Sequence, residues 1–256
     1  MENTRLLEAQ NVVKIYGVGT RQQFEALHGI DFTMDSGDFV CVMGPSGSGK
    51  STFVNNMSTI DLPTKGKVFI AGESVRTMGE NELGKFRYQN LGFIFQEFNL
   101  LNSLTIYENI AVPLTLNSMD KNQIKARVEQ IAKTLGIESL LEKFPNECSG
   151  GQRQRTAVAR SLVTNPKIIV ADEPTGNLDS KNSHELLTLF KELNDTQGVS
   201  ILMVTHDSQI ASYSTKVIYL KDGNIEATIE RGNLSQKEYF YKIVDLNSSE
   251  SQKFFD

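Results

Sequence analysis

Short all-apolar runs alternate with stretches of helical periodicity along most of this chain. Asp38-Phe39-Val40-Cys41-Val42-Met43, Lys167-Ile168-Ile169-Val170-Ala171 and Val199 to Thr205 read as strands buried on both faces. Leu91-Gly92-Phe93-Ile94-Phe95-Gln96 is a briefer run of the same kind, ending in a polar amide. Between these runs, Lys50 to Ser58 reads as a helix, residues 80–90 as a polar helix, and Leu186, Leu189, Phe190 and Leu193 as the inner face of a helix closed by Gly198. Strand–helix succession of this kind predicts an α/β core, a mixed sheet with flanking helices.

Three stretches depart from that rhythm. Residues 5–36 alternate apolar and polar positions (Leu7 and Ala9, then Ile30, Phe32 and Met34), which predicts half-buried strands of an antiparallel β subdomain, with Tyr16 and Gly17 in the connection between them. Residues 97–165 are mostly helical, with Ile124, Val128, Ile131, Ala132 and Leu135 on one face, and read as an inserted α-helical subdomain. Phe98-Asn99-Leu100-Leu101 at its start is either core or a docking edge. Val217 to Leu220 and Ile225 to Ile229 flank Asp222-Gly223 as a hairpin. The expected division is a core at 5–96 and 166–230, the helical subdomain at 97–165, and a C-terminal helical extension at 231–256. That extension opens on a capping box, Ser235 with Glu238, and offers Tyr239, Phe240, Ile243 and Val244 for docking.

Composition narrows the partners. Charged residues are 22% and hydrophobic ones 39%, and the net charge of −5 argues against a nucleic-acid partner. Cys41 and Cys148 stand far apart and read as packing residues in a reducing compartment. No apolar run approaches the roughly 18 residues of a membrane span, and no signal peptide opens the chain. The expectation is a cytoplasmic protein whose membrane contact, if it has one, is through another chain.

The chemistry gathers at the ends of the buried runs. Gly44-Pro45-Ser46-Gly47-Ser48-Gly49-Lys50-Ser51, followed by Thr52, fits the P-loop pattern between a strand and a helix, the setting that motif requires. Glycines let backbone N–H groups approach phosphate oxygens, Lys50 supplies a point charge, Ser51 a hydroxyl for Mg²⁺, and the helix start a positive dipole end. A second run ends in Asp172-Glu173: Asp172 suits Mg²⁺, while strand alternation would turn Glu173 the other way, as a general base polarising water. A third run ends at His206, on the same expected carboxyl edge, and this residue reads as a surface or core histidine or as a γ-phosphate contact. Gln96 reads as a strand-end residue or as a ligand of Mg²⁺ and water. Tyr16 reads as a half-buried surface residue or as a stacking platform for a purine. Ser149-Gly150-Gly151-Gln152 opens a helix, as an N-cap or as a second anion site.

In this order the motifs resemble the ABC-transporter ATPase family over roughly residues 5–230. Tyr16 is similar to its base-stacking aromatic, Gly44 to Ser51 to its P-loop, Gln96 to its Q-loop and Ser149 to Gln152 to its signature. Asp172-Glu173 resembles the Walker B pair, Leu178-Asp179 the D-loop and His206 the switch histidine. Cys148 stands where the family usually has leucine. Phe95 to Leu101 and Asp172 to Asp179 look like the macrolide-exporter and lipoprotein-release branch, and the tail, with Arg231 and residues 239–241, is similar to bacitracin-type peptide-resistance transporters. The resemblance implies ATP and Mg²⁺ as cofactors and a head-to-tail dimer in which Ser149 and Gly151 of one copy close on the γ-phosphate held by the other. It also implies a membrane permease partner, a place on the inner face of the cell membrane and, in the peptide-resistance branch, a sensor histidine kinase nearby. The branch also includes ATPases for lipoprotein or macrolide export, and ATPases that relay force to cell-wall hydrolases in division.

Overall fold

Why the central runs are apolar throughout is visible in the sheet they build. The computed structural model describes residues 5–252, with side chains to 249; residues 253–256 of the expected extension lie outside the described residues. The chain begins with β1 (Arg5–Tyr16), β2 (Phe24–Asp35) and β3 (Phe39–Met43), then α1 (Lys50–Met57), β4 (Lys65–Ile70) and β5 (Glu73–Ser74). It continues through α2 (Glu80–Asn90), β6 (Leu91–Ile94), α3 (Ile106–Leu116), α4 (Lys121–Thr134) and α5 (Gly150–Leu162). Last come β7 (Ile168–Asp172), α6 (Ser180–Gln197), β8 (Ser200–Val204), α7 (Ser208–Ala211), β9 (Lys216–Lys221), β10 (Asn224–Glu230) and α8 (Gln236–Gln252).

The larger sheet has the order β10-β9-β3-β8-β7-β6, parallel from β9 to β6 with β10 as an antiparallel edge. Side chains of β3 alternate between two cores. Phe39, Cys41 and Met43 face α3 to α6 and α8, whereas Val40 and Val42 join Phe53 and Met57 of α1. Both faces are covered, so a polar position needs a partner of its own, as Ser200 at the start of β8 finds in the Gly37 N–H at 2.9 Å. A fully buried side chain such as Phe53 contributes roughly 1.5–3 kcal/mol. The smaller sheet, β2-β1-β4-β5, is antiparallel and closes the second core from outside.

Three expectations change. Tyr16 is the last residue of β1, paired with Phe24 of β2, rather than part of the connection. The strand expected at 91–96 stops at Ile94, and Gln96 follows in a turn. Tyr239 and Ile243, expected as docking surface, are buried in the chain's own core, because α8 folds back over α7 and β9. Phe98 is likewise core, whereas Leu101 is exposed.

Candidate functional site

Four adjacent strand ends define one edge of the sheet. Val42 pairs with Val204 and Val204 with Asp172, while Ile94 pairs with Ala171. The loop after β3, Thr205-His206 after β8, Asp172-Glu173 at the end of β7 and Gln96 beyond β6 therefore share the carboxyl edge, where α/β sheets take ligands.

Leaving β3, the chain turns at Gly44, where a side chain has no room: a Cβ would stand 2.0 Å from the Leu220 carbonyl oxygen. The loop ends at Gly49, a left-handed N-cap that supplies no side-chain acceptor to α1. The first N–H groups of that helix thus keep their hydrogen-bonding capacity, and the dipole end is bare. Lys50 folds back, its Nζ donating to the carbonyls of Gly44 (2.9 Å) and Pro45 (2.7 Å). Partial burial pulls its pKa below the ordinary lysine value, and the Glu173 and Asp172 carboxylates pull it back up. The buried Ser48 Oγ has no hydrogen-bond partner among the described residues.

Around this turn lies a pocket of about 500 Å³. Ser46, Gly47, Gly49, Lys50, Ser51 and Thr52 line it on one side, and Gln96, Asp172 and Glu173 on the other. Burial, and then the neighbouring Glu173 carboxylate, push the Asp172 pKa up against the pull of Lys50. An uncapped helix start, a lysine and a glycine-rich turn fit a polyphosphate. A hydroxyl, an amide and a carboxylate facing the same space fit a hard divalent cation such as Mg²⁺.

Glu173 is not oriented by strand alternation. It stands one residue past β7 with φ of 43°, in the left-handed region, and its N–H donates to the Val204 carbonyl at 3.1 Å. That backbone twist, costly for a non-glycine residue, turns the carboxylate toward the pocket and toward His206, whose Nδ1 lies 3.1 Å from Oε1. Asn177 Nδ2 donates to the Gln96 carbonyl at 3.1 Å, tying the loop after Glu173 to the turn after β6.

The remaining candidates lie elsewhere. Ser149 caps α5 through a reciprocal box with Gln152: its hydroxyl accepts from Gln152 N–H (3.3 Å), and Gln152 Oε1 accepts from Ser149 N–H (2.9 Å). Gly150 faces Leu178, and Gly151 packs so tightly on Asn182 that a Cβ would lie 2.4 Å from its Oδ1. Asp179 caps α6, accepting from Asn182 N–H (2.8 Å) and Nδ2 (2.7 Å), and these bonds hold its pKa below the ordinary range. None of Ser149, Gly150, Gly151, Gln152 or Asp179 lines the phosphate-loop pocket. Tyr16 does not line it either; its hydroxyl donates to Asp61 (3.1 Å), and Lys14 Nζ stands 5.1 Å from its ring centre. Its cross-strand partner Phe24, 61% exposed, does line the pocket. The sequence carries one sign of Phe24: a large aromatic set among Gln22, Gln23 and Glu25.

The family described as ABC transporter matches residues 27–176, which include the P-loop, Gln96, the Ser149 cap and Asp172-Glu173. The bacitracin export ATP-binding protein BceA of Halalkalibacterium halodurans is 44% identical, covering 93% of this chain and 94% of that one. The ABC transporter ATP-binding protein YxdL of Bacillus subtilis is 44% identical, with 95% and 93% covered. Among solved structures, the dimeric post-hydrolysis state of the cassette MJ0796 of Methanocaldococcus jannaschii, bound to ADP and Pi, superposes with a TM-score of 0.80. It is 39% identical and covers 88% of this chain and 98% of that one. The structure of cbiO1 from Clostridium perfringens gives a TM-score of 0.82 at 26% identity, covering 98% and 99%. The chain belongs to the ABC transporter family, as an ATP-binding subunit that hydrolyses ATP with Mg²⁺ and is of the kind that pairs with a second cassette and with a membrane permease.

Proposed function

We propose that this subunit powers a permease that protects the cell against bacitracin-type antimicrobial peptides. The observation that carries this reading is the 44% identity, over nearly all of both chains, to a protein named for bacitracin export. In our reading the Gly44–Gly49 turn, Lys50 and the N–H groups of Lys50 to Thr52 hold the phosphates. Ser51, Asp172 and Gln96 hold Mg²⁺, which offsets phosphate charge when bound. Glu173 accepts a proton from the attacking water, and His206 holds the Glu173 carboxylate and reaches the γ-phosphate. Tyr16 and Phe24 flank the base. Ser149 and Gly151, turned away from their own chain's phosphate loop, serve the nucleotide of a second copy, with Asp179 at the same junction.

Docking on the permease, and with it a place on the inner face of the membrane, is supported by a groove of about 470 Å³ between the sheet edge and the helical segment. Tyr88, Phe93, Phe95, Val112 and Leu116 line it. Leu116 is 77% exposed and Phe93 stacks on Phe95 at 6.0 Å, so an apolar surface stands uncovered beside Gln96. Among the described residues no helix is long and apolar enough to cross a membrane.

Deletion of the gene tests the reading. Sensitivity to bacitracin-type peptides, restored by the wild-type copy and not by Glu173→Gln, is the expected result. A division defect without drug sensitivity would assign the chain to force relay instead. Purification of the detergent-solubilised complex tests whether a sensor kinase accompanies the permease.

A further inference from the structure

Gln96 is exposed in its turn, yet the backbone around it is held from two sides. Phe98 N–H donates to the Phe95 carbonyl (3.0 Å) and Asn99 N–H to the Glu97 carbonyl (2.7 Å). These bonds close a turn that leaves Phe98 and Asn99 both left-handed, with φ of 61° and 46°. Non-glycine residues visit that region singly, and two in succession require an outside restraint. Arg160 of α5 supplies it. Its Nη1 donates to the Asn99 carbonyl at 2.6 Å and its Nη2 to the Phe98 carbonyl at 2.7 Å. The planar fork meets the two consecutive carbonyls with two separate nitrogens held in one plane, whereas an ammonium would have to serve both from a single atom without that fixed direction.

The arginine is half-buried, and burial pulls its pKa below the ordinary value. Among the described residues no carboxylate forms an ion pair with it. A guanidinium drawn partly out of water gives its two nitrogens to backbone carbonyls rather than to a carboxylate, so what it holds is the turn itself. On the far side, Gly176 lies against the Gln96 side chain so closely that a Cβ would stand 2.8 Å from its Nε2. Arg160 and Asn99 also line the apolar groove, so the clamp joins that surface to the turn.

We propose that Arg160 is a positioning residue for Gln96: its fork holds the paired left-handed residues and thereby sets where the Gln96 amide stands in the ATP pocket. The inference rests on the Mg²⁺ and water role given to Gln96 above, and the test separates the two. Steady-state hydrolysis by the purified full chain is measured against ATP and against Mg²⁺, with melting curves for every variant. Arg160→Lys keeps the charge and loses the fork. Asn99→Val attacks the same bend from the exposed side, since a β-branched residue resists φ near 46°.

Each is expected to lower kcat about tenfold and to raise the Mg²⁺ needed for half-maximal rate several-fold, with KM for ATP within about twofold of wild type. In a Gln96→Ala background Arg160→Lys should add less than about twofold, because both changes act through one amide. Folded Arg160→Lys and Asn99→Val proteins with wild-type kcat and Mg²⁺ dependence would overturn the proposal, as would full additivity with Gln96→Ala. Should Arg160→Lys fail to fold, Asn99→Val alone decides. A wild-type rate in Gln96→Ala by itself would instead remove the role of Gln96, and the positioning argument with it.

Discussion

His206 Nδ1 and Glu173 Oε1 stand 3.1 Å apart, across the ends of two neighbouring strands. The imidazole is largely exposed, so the contact adds little to stability and its effect is orientation. Glu173→Gln keeps the size and the left-handed backbone but cannot take a proton. Turnover should fall by about a hundredfold or more. ATP binding should persist by calorimetry, and the stalled dimer should accumulate in light scattering with ATP. Wild-type turnover in this variant would remove Glu173 as the base.

Asp172 carries a cost in the nucleotide-free protein. Burial raises its pKa, so the folded chain binds a proton more readily than the unfolded one. Stability from this group is therefore full below the unfolded value of about 3.9 and declines as pH rises through the raised folded value. Asp172→Asn removes the buried charge, so its apo form should melt a few degrees above wild type at pH 7, and the gap should close on acidification. Hydrolysis should meanwhile lose its response to Mg²⁺. A lower melting temperature than wild type at pH 7 would mean that attraction to Lys50 outweighs desolvation.

The base-flanking role proposed for the cross-strand pair Tyr16–Phe24 falls more heavily on Phe24. Tyr16 is tied to Asp61, whereas Phe24 carries no such bond and faces the pocket. Phe24→Ala should weaken ATP binding about two- to tenfold, the worth of one aromatic contact. It should leave binding of inorganic triphosphate unchanged, since that ligand has no base. Equal losses for both ligands would place Phe24 in support of the loop rather than in contact with the base.

Much of this was legible in the sequence for a physical reason. A strand covered on both faces leaves little place for polar residues between its ends, so β3, β7 and β8 announced themselves, and the residues that ended them were the ones left at an edge. The P-loop was legible because strand, glycines and helix start lie contiguous in the chain. What escaped depended on distant contacts. The direction of Glu173 is set by one backbone torsion and a bond to Val204, not by strand period. Phe24 reaches the pocket through hairpin register with Tyr16, and Arg160 acts on residues some sixty positions away. Tyr239 and Ile243 show the same limit, since an apolar helix face reads alike whether it covers its own core or a partner's.

That last ambiguity yields a stability test. Tyr239 is fully buried, and its hydroxyl donates to the Ile229 carbonyl at 3.0 Å. Tyr239→Phe loses one hydrogen bond, about 0.5–1.5 kcal/mol, whereas Tyr239→Ala also leaves a cavity and should cost about 3–5 kcal/mol. At about 2–4 °C per kcal/mol for a chain of this size, the alanine variant should melt roughly 10 °C lower. α8 also packs on α7, whose N-cap Asp207 follows His206 directly, so loosening it should reach the catalytic edge. Turnover of Tyr239→Ala should therefore decline with temperature well before the melt, while Tyr239→Phe tracks wild type. An unchanged melting curve for the alanine variant would return the tail to the docking role that its sequence suggests.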